Sequence, residues 1–370
     1  MGEPTQEDAV EAANYLLKEL FSDFPLKDDA SKANMLAALI SPILRPISGR
    51  SPLFVITKPQ PGEGSGLLAD LVSLVCNGNV APKQDANCDD KTELRKTLSS
   101  LLRSGTELTV FDNLDQNSKF DSPVIAGFLT SDLYRDRLLG QSKIMDLENT
   151  MCTFLTGRNV KLGGDIPRRS VLIEMKAMDR ELIQNSSKRN FRHPRIQDWV
   201  KKHRGELVAK IFTIYRAWVL AGKPTSGVPL IGSFETWCDV VGGMLQYAGI
   251  SGFLENRTTV WDEMDTETDE WHDFASAWFL TGQQKYDTFK EIKETRHLKA
   301  KELLGMIESN RTLLESLPSD LDEPYKKRNV RAIGNRVSSQ RNVPLNGYVI
   351  RAKIDAKDKI MRYWVEEEAQ

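Results

Sequence analysis

The sequence is poor in cysteine and histidine, and it lacks the spacings that these residues show in metal sites. The four cysteines stand at positions 76, 88, 152 and 238, and no C-x-x-C pair occurs among them. The four histidines lie neither in an H-E-x-x-H pattern nor beside a serine elbow. The sequence therefore gives no support to zinc chemistry or to a Ser–His–Asp triad. We expect reduced structural thiols, buried at Cys76 and Cys152, which lie in apolar runs.

Long hydrophobic runs are also missing. No apolar stretch reaches the about 18 residues that a membrane span needs, and residues 1–8 are acidic where a signal peptide would be basic. The 370 residues, with 40% apolar and 28% charged content, predict a globular protein of two or three domains. We therefore expect a cytoplasmic protein without membrane contact.

A glycine-rich segment lies between a strand pattern and a helix pattern. Residues 53–56 form a short apolar run of the buried-strand type, and residues 67–75 are apolar at helical spacing. Glycines between them can adopt positive φ and leave no side chain between the backbone N–H groups and an anion. We predict a phosphate-binding loop here, with nucleotide contacts from Gly62, Gly64, Ser65, Gly66 and Leu67.

This loop departs from the G-x-x-x-x-G-K-[ST] pattern of nucleotide sites. Ser65 stands where the phosphate-binding lysine belongs, Gly66 where the magnesium-binding hydroxyl belongs, and Pro59 replaces the first glycine. Lys58, at the other end of the loop, has a flexible stem that can reach the β or γ phosphate from the opposite wall. Lys58 is our candidate for the missing lysine. A plain strand-to-helix turn with a solvated lysine is the alternative.

Polar residues follow two further strand patterns. Residues 108–113 form a buried-strand signal that ends in Asp112 and Asn113, and a strand-terminal aspartate can hold magnesium. Residues 151–157 form the next strand signal, followed by Arg158 and Asn159. A fourth strand is predicted at 170–175, directly after an arginine pair. Each feature alone can also be explained as a helix cap, a turn or a solvated surface group. The order of the features along the chain is therefore the evidence for a nucleotide site.

With these motifs in this order, the sequence resembles the AAA+ helicase module of phage and plasmid primase-helicases, relatives of the superfamily-three helicases. The resemblance covers most of the chain. The segments that carry it are residues 24–25, 31–34, the loop with 67–70, 111–113, 156–169 and 192–194.

The resemblance implies a role for several of these residues. Asp112 would be the Walker B residue that binds Mg²⁺, and Asn159 the sensor beside the γ-phosphate of ATP. Arg168 or Arg169 would be an arginine finger that reaches the nucleotide of a neighbouring subunit and stabilises charge on the transferred phosphoryl group. Asn113 stands where many relatives carry the glutamate that polarises the attacking water. Arg158 stands where a second asparagine is common, so both departures weaken the catalytic assignment.

The expected fold is an α/β AAA+ P-loop core with a helical N-terminal collar, a helical extension and a C-terminal winged helix. The corresponding boundaries are 1–50 for the collar, 51–180 for the core, 181–265 for the extension and 266–370 for the winged helix. Within these, we predict helices at 9–21, at 31–44 with interruptions at Pro42 and Pro46, at 91–103, at 205–220, and at 234–247 with Ser233 as N-cap.

The C-terminal segment is much more basic than the rest of the chain. Residues 326–362 contain eleven Lys or Arg against two Asp, a local balance of +9, while the whole chain carries −2. Helix patterns near 269–279, 297–307 and 325–339, followed by strands at 347–350 and 360–365, predict a winged helix that binds DNA phosphates. The predicted DNA contacts are Lys326, Lys327, Arg328, Arg331, Arg336 and Arg341, with Lys357 and Lys359 at the wing tip. A solvated basic face that docks on an acidic neighbour is the alternative.

The function implied by the resemblance is an ATP-dependent replicative DNA helicase of a mobile element, acting as a ring, by analogy a hexamer, that threads one strand. A primase or polymerase activity would lie on a partner or on a longer parent polypeptide. The departures leave a second hypothesis open: a catalytically degenerate AAA+ subunit that builds a ring, recognises an origin or loads another motor. A third is an unrelated α/β regulator with a winged helix.

Overall fold

The structure, a computed structural model, describes residues 2–87, 90–115, 118–137, 144–179, 181, 191–225, 227–257, 266–283 and 294–367. Cys88 lies outside these ranges. The chain divides into a first unit, Met1–Met264, and a second unit, Asp265–Gln370, and each has its own hydrophobic core. Within the described ranges, no helix is both long and apolar enough to span a membrane.

The first unit alternates helices and strands around one sheet. Its elements in chain order are α1 (Gln6–Leu16), α2 (Asp29–Ser48), β1 (Leu53–Lys58), α3 (Ser65–Asn77), β2 (Lys83–Asp85), α4 (Lys91–Arg103), β3 (Leu108–Leu114), β4 (Lys119–Phe120), α5 (Pro123–Leu129), β5 (Leu133–Arg137), β6 (Ile144–Glu148), β7 (Cys152–Arg158), β8 (Lys161–Leu162), β9 (Ser170–Glu174), α6 (Ile196–Leu220), α7 (Glu235–Trp237) and α8 (Gly243–Tyr247).

Five of these strands form a parallel sheet in the order β2-β3-β7-β1-β9. The inner strands are buried along most of their length, and this burial explains why they read as continuous apolar runs in the sequence. Phe54 of β1 pairs in register with Phe154 of β7 on one side and Val171 of β9 on the other. The expectation of an α/β fold with a central parallel sheet is confirmed.

Helix α2 corrects the prediction that Pro42 and Pro46 interrupt the segment after residue 31. The helix runs from Asp29 to Ser48 with both prolines inside it. A proline in a helix interior removes one backbone hydrogen bond and costs about 3 kcal/mol or more. Nearly every residue of α2 between positions 30 and 45 is buried, and we attribute the unbroken helix to this burial.

Several helix ends also differ from the predictions, and α6 begins at Ile196 rather than at 205. Helix α1 begins at Gln6, where Thr5 and Asp8 form a capping box, and continues as a π-helical turn over Leu17–Phe21. Ser233 is not an N-cap: it has a φ of 73°, and its N–H donates to the Glu235 carboxylate at 3.0 Å. The helix that follows starts at Glu235 and contains a π-helical turn between α7 and α8.

The second unit combines helices with a small antiparallel sheet. Its elements are α9 (Thr266–Gln283), β10 (Leu298–Lys299), α10 (Ala300–Ser309), α11 (Arg311–Glu315), α12 (Ser319–Lys326), α13 (Val330–Ser339), β11 (Pro344–Leu345), β12 (Tyr348–Ile354) and β13 (Met361–Glu367). The strand order is β10-β13-β12-β11. The single helix predicted at 325–339 is wrong, because Arg328 has a φ of 49° and the Asn329 side chain caps a new helix by accepting the N–H of Ala332.

Candidate functional site

Most of the site residues predicted in the first unit lie at the carboxyl edge of the parallel sheet, whereas Arg168 and Arg169 come just before β9 and lie at its opposite end. The glycine-rich loop follows β1, Asp112 and Asn113 lie near the end of β3, and Asn159 follows β7. Parallel strands end on the same side, and Lys58 lies directly beside Arg158 in the paired register. Ligands of open α/β sheets bind outside this carboxyl edge, so the strand order brings the predicted residues to the expected place.

The loop turns sharply before α3 begins at Ser65. Gly62 and Gly64 have φ values of 86° and 94°, a region that favours glycine. A Cβ atom on Gly64 would lie 3.1 Å from the ring of Phe24. Backbone and neighbour therefore both favour glycine at position 64, and no side chain caps the start of α3.

Glu63 holds this loop in shape through its side chain, a role that no sequence pattern indicates. Its side chain is only 1% exposed. One carboxylate oxygen accepts the N–H of Gln60 at 3.1 Å, and the other accepts the N–H of Met178 at 2.9 Å. The Gln60 side chain also donates to the Met178 carbonyl at 3.1 Å. The loop is thus tied to the segment that follows β9.

Ser65 and Gly66 begin α3 next to a cluster of charges. The Ser65 hydroxyl is fully buried and has no hydrogen-bond partner among the described residues. A Cβ atom on Gly66 would lie 3.5 Å from Nζ of Lys83 and 3.6 Å from Oδ1 of Asp112. The start of the helix therefore faces both a cation and the predicted Walker B carboxylate. Leu67 packs, partly buried, against the core.

Asp112 is held by two neighbouring side chains. Thr156 of β7 donates its hydroxyl to Oδ1 at 2.5 Å, and Nζ of Lys83 lies 3.5 Å from Oδ2. The same ammonium lies 3.4 Å from Oδ2 of Asp70 on α3. Burial raises the pKa of Asp70, and Lys83 opposes this shift. Lys83 thus bridges two carboxylates beside the loop.

Asn113 is turned outward at a break in the strand. The register between β3 and β7 shifts between Phe111 and Leu114, and Asn113 has a φ of 65°. Its N–H donates to the Thr156 hydroxyl at 3.3 Å, while its side chain is exposed. Such irregularities re-aim side chains and are common beside active sites.

A basic cavity of about 510 Å³ lies past the ends of β1 and β9. Polar residues that line it are Lys27, Lys58, Asn159, Lys161, Glu174 and Lys176. Lys58 is half-buried, and burial lowers its pKa, against the opposing attraction of Asp112 and Glu63. Asn159 is exposed, and its N–H donates to the Lys58 carbonyl at 3.0 Å. Lys58 and the predicted sensor therefore face the same cavity.

The two arginines proposed as fingers occupy different environments. Arg169 is 14% exposed, and its guanidinium donates to the carbonyl of Ala126 and lies 3.2 Å from the Asp165 carboxylate. Arg168 is 58% exposed and contacts the other Asp165 oxygen at 2.8 Å. An arginine that reaches a neighbouring subunit needs an exposed side chain, and Arg168 meets this condition better than Arg169.

The donor set fits the phosphates of ATP better than it fits Mg²⁺. Backbone N–H groups, the start of α3 and lysines on two sides suit a polyphosphate. Mg²⁺ needs oxygen ligands in near-octahedral geometry. Both oxygens of Asp112 already contact Thr156 or Lys83, and Gly66 offers no hydroxyl. Among the described residues, no group of three or more His, Cys, Asp or Glu side chains is placed to hold a metal ion.

Comparison with known proteins adds little to this geometry. No family model matches the chain, and no curated protein matches it. One similar solved structure is titled "The X-ray structure of JCV Helicase". It has a TM-score of 0.27 and 12% sequence identity, and the match covers 71% of this chain and 72% of that chain. A likeness at this level supports no conclusion about fold or activity.

The predicted DNA contacts of the second unit fall into two groups. Four are in ion pairs with acidic residues that lie outside the basic segment: Lys326 with Asp322, Lys327 with Glu323, Arg328 with Glu308 and Arg336 with Asp320, at 2.5, 2.5, 3.0 and 4.0 Å. The others are exposed and have no ion pair within the described residues: Arg331, Arg341, Lys357 and Lys359. The local charge of +9 is therefore partly neutralised, and the free cations lie on α13, just after it, and at the tip of the β12–β13 ribbon.

Proposed function

We propose that the chain is the AAA+ module of a replicative DNA helicase of the primase-helicase kind and that it binds ATP at the loop between β1 and α3. The observation that carries this proposal is the meeting of the loop, Asp112 and Asn159 at one edge of the sheet. The sheet order, with β1 between β7 and β9, is also the order of AAA+ cores and supports the same assignment.

ATP would bind with its phosphates at the start of α3. The helix dipole and the N–H groups of the uncapped first turn favour negative charge there. Lys58 would supply a cation, and Asn159 would contact the γ-phosphate as the sensor. Arg168 would act on the nucleotide of a neighbouring subunit, so hydrolysis would need a ring, by analogy one of six subunits. Such fingers raise the hydrolysis rate about 10³–10⁵-fold in other phosphoryl-transfer proteins.

The second unit would bind DNA as a winged helix, with α9, α10 and α13 as its helices and β12–β13 as its wing. The exposed cations on α13 and at the ribbon tip support this assignment, because phosphate contacts dominate nucleic-acid affinity. We keep 1–50 as a collar, 51–180 as the core, 181–265 as the extension and 266–370 as the winged helix. A primase would act from a partner or from a longer polypeptide.

A catalytically degenerate AAA+ subunit is the second candidate, serving in ring assembly, origin binding or helicase loading. Three observations favour it. Lys83 pairs with Asp112, Gly66 has no hydroxyl, and the outward Asn113 has no carboxylate to polarise water. These features are compatible with nucleotide binding and unfavourable for hydrolysis.

DNA-stimulated ATP hydrolysis by the full chain separates the two candidates. A working motor should hydrolyse ATP, and its hydrolysis rate should fall at least about a hundredfold in Lys58→Ala and in Arg168→Glu. Both variants should still bind DNA. If the original chain shows no turnover and Ser65→Lys gains it, the degenerate subunit is the correct assignment. If the original chain neither hydrolyses nor binds ATP, the motor fails and a wholly inactive AAA+ subunit is the candidate that remains.

A further inference from the structure

Lys83 places an ammonium where two expected groups are missing. It lies at the start of β2, at the edge of the sheet, and its Nζ is 3.4 Å from Asp70 and 3.5 Å from Asp112. The same nitrogen is 3.5 Å from the point where a Cβ of Gly66 would stand. A single cation thus sits between the first turn of α3 and the predicted Walker B aspartate.

The position of this contact, beside residue 66, relates it to the usual phosphate loop. In the usual phosphate loop, the residue at this point carries the hydroxyl that binds Mg²⁺, and the preceding residue is the phosphate-binding lysine. Here Gly66 leaves room for Lys83, and Ser65 provides only a buried hydroxyl without a partner among the described residues. Both cations expected from the loop, the lysine and the metal, are replaced by one ammonium from another strand.

The geometry also leaves Lys83 able to bind a further anion. An ammonium has three N–H donors, and Asp70 and Asp112 account for two of them. Both distances exceed the 2.7–2.9 Å or so of a tight charge-assisted hydrogen bond. The side chain is 41% exposed, so a phosphate oxygen can reach it.

We propose that Lys83 is the cation that binds nucleotide phosphate at this loop and that it takes the place of Mg²⁺ there. The chain then binds a nucleoside triphosphate without a divalent metal, because the metal would have to displace Lys83 from Asp112. Lys58, at the end of β1 and within electrostatic range of Asp112 and Lys83, adds a second positive charge. This inference rests on the nucleotide site of the proposed function, which a nucleotide-binding subunit and a motor share, and it favours the catalytically degenerate subunit, because phosphoryl transfer in P-loop proteins uses Mg²⁺.

ATP binding to the full chain, measured by titration calorimetry in MgCl₂ and in EDTA, tests the inference. We expect the dissociation constant of the original chain to differ by less than about threefold between the two conditions. Lys83→Ala should bind ATP at least about tenfold more weakly than the original chain in EDTA. It should recover part of that affinity in MgCl₂, because Asp70 and Asp112 are released to bind the metal. Lys83→Arg should keep binding in EDTA.

Two further variants guard against an effect on folding. Lys83→Ala leaves a buried charge on Asp70, so the double variant with Asp70→Asn removes that charge and should show the same loss in EDTA. The matched control is Lys96→Ala. Lys96 lies on α4, and its ammonium pairs with Glu93 at a distance of 2.5 Å. This control should bind ATP as the original chain does.

The outcomes distinguish this inference from the function on which it rests. Binding that requires MgCl₂ in the original chain overturns the replacement of the metal and leaves the nucleotide site intact. Unchanged binding in both Lys83→Ala and the double variant overturns the role of Lys83. If the original chain binds ATP in neither condition, the proposed nucleotide site itself is wrong.

Discussion

At the scale of single residues, Glu63 is the side chain that holds the glycine-rich loop in shape. Its carboxylate is buried and accepts the N–H groups of Gln60 and Met178. Glu63→Ala leaves both donors without their acceptor, and because Gln60 and Met178 are half-buried, each lost bond should cost less than the upper value of about 3 kcal/mol for a fully buried donor. We expect the free energy of unfolding to fall by about 2–4 kcal/mol in urea titrations.

An exposed glutamate in the same unit provides the control for that experiment. Glu255 has an exposed side chain, and Glu255→Ala should change the free energy of unfolding by no more than about 0.5 kcal/mol. Equal unfolding midpoints for the two variants would show that the loop does not depend on its internal carboxylate.

The residue scale also shows which parts of the site a sequence can reveal. The glycines of the loop are visible because a positive φ is a local backbone requirement, and a strand-terminal aspartate is visible because it ends an apolar run. Glu63 is not visible in this way, because its partner Met178 lies 115 positions away. Lys83 is hidden for the same reason, since only the folded sheet brings it to Asp70 and Asp112.

At the scale of elements, the π-helical turn at Leu17–Phe21 places Glu19 against two basic side chains. Arg192 donates to both carboxylate oxygens at 2.6 and 2.7 Å, and His193 lies 2.8 Å from one of them. The hydrogen bonds from Arg192 are the largest cause that lowers the pKa of Glu19 from 4.5 to about 2. Rare π-helical turns often mark places that need such a specific side-chain position.

The lowered pKa predicts how this contact depends on pH. A carboxylate whose pKa is depressed in the folded state stabilises the fold above its unfolded pKa and loses that stabilisation as pH falls through the folded value. Between pH 4.5 and about 2, the original chain should therefore lose stability through Glu19. Glu19→Gln should unfold at lower urea than the original chain at pH 7 and should show a weaker pH dependence in that window. Urea midpoints at several pH values measure both effects.

Helix α1 supplies the matched control for Glu19. Glu11 is 76% exposed and pairs with Lys210 at 3.4 Å, and exposed pairs contribute little. Glu11→Gln should therefore keep both the stability at pH 7 and the acid dependence of the original chain. A Glu19→Gln variant with the acid dependence of this control would contradict the assignment.

The same scale explains which elements the sequence predicts. Strands β1, β3, β7 and β9 are buried along most of their length, although β9 is an edge strand, and they appear as apolar runs in the sequence. Edge strand β2 has only Lys83, Gln84 and Asp85, with no apolar residue, so no strand pattern arises. The antiparallel pair β5 and β6 is not predicted from the sequence, because β6 alternates only between exposed and half-buried residues. The predicted helix is shorter than α2 because its prolines are visible in the sequence, whereas the burial that stabilises the whole helix is not.

At the scale of the whole molecule, the uneven charge of the chain predicts how the proposed DNA binding should depend on salt. The second unit keeps Arg331 and Lys357 exposed and without an ion pair among the described residues, whereas Lys326 pairs with Asp322 at 2.5 Å. Phosphate contacts release counter-ions, so each lost contact lowers the slope of log affinity against log salt by about 1. We expect Arg331→Ala and Lys357→Ala to weaken binding to all sequences in this way. Lys326→Ala should have a smaller effect, because a DNA contact there must first break an existing pair.

Fluorescence anisotropy of labelled duplex and single-stranded DNA at several salt concentrations measures these slopes. The control is Arg311→Ala, which removes an exposed guanidinium paired with Glu315 outside the basic segment. Slopes for Arg331→Ala and Lys357→Ala that equal the control would remove DNA from the functions of the second unit, and its basic face would then be a solvated or protein-docking surface. Slopes that fall only in Arg331→Ala and Lys357→Ala would instead assign the DNA contact to α13 and the ribbon tip. The paired cations carry the same formal charge and differ only in having an ion-pair partner, so charge alone would not explain that result.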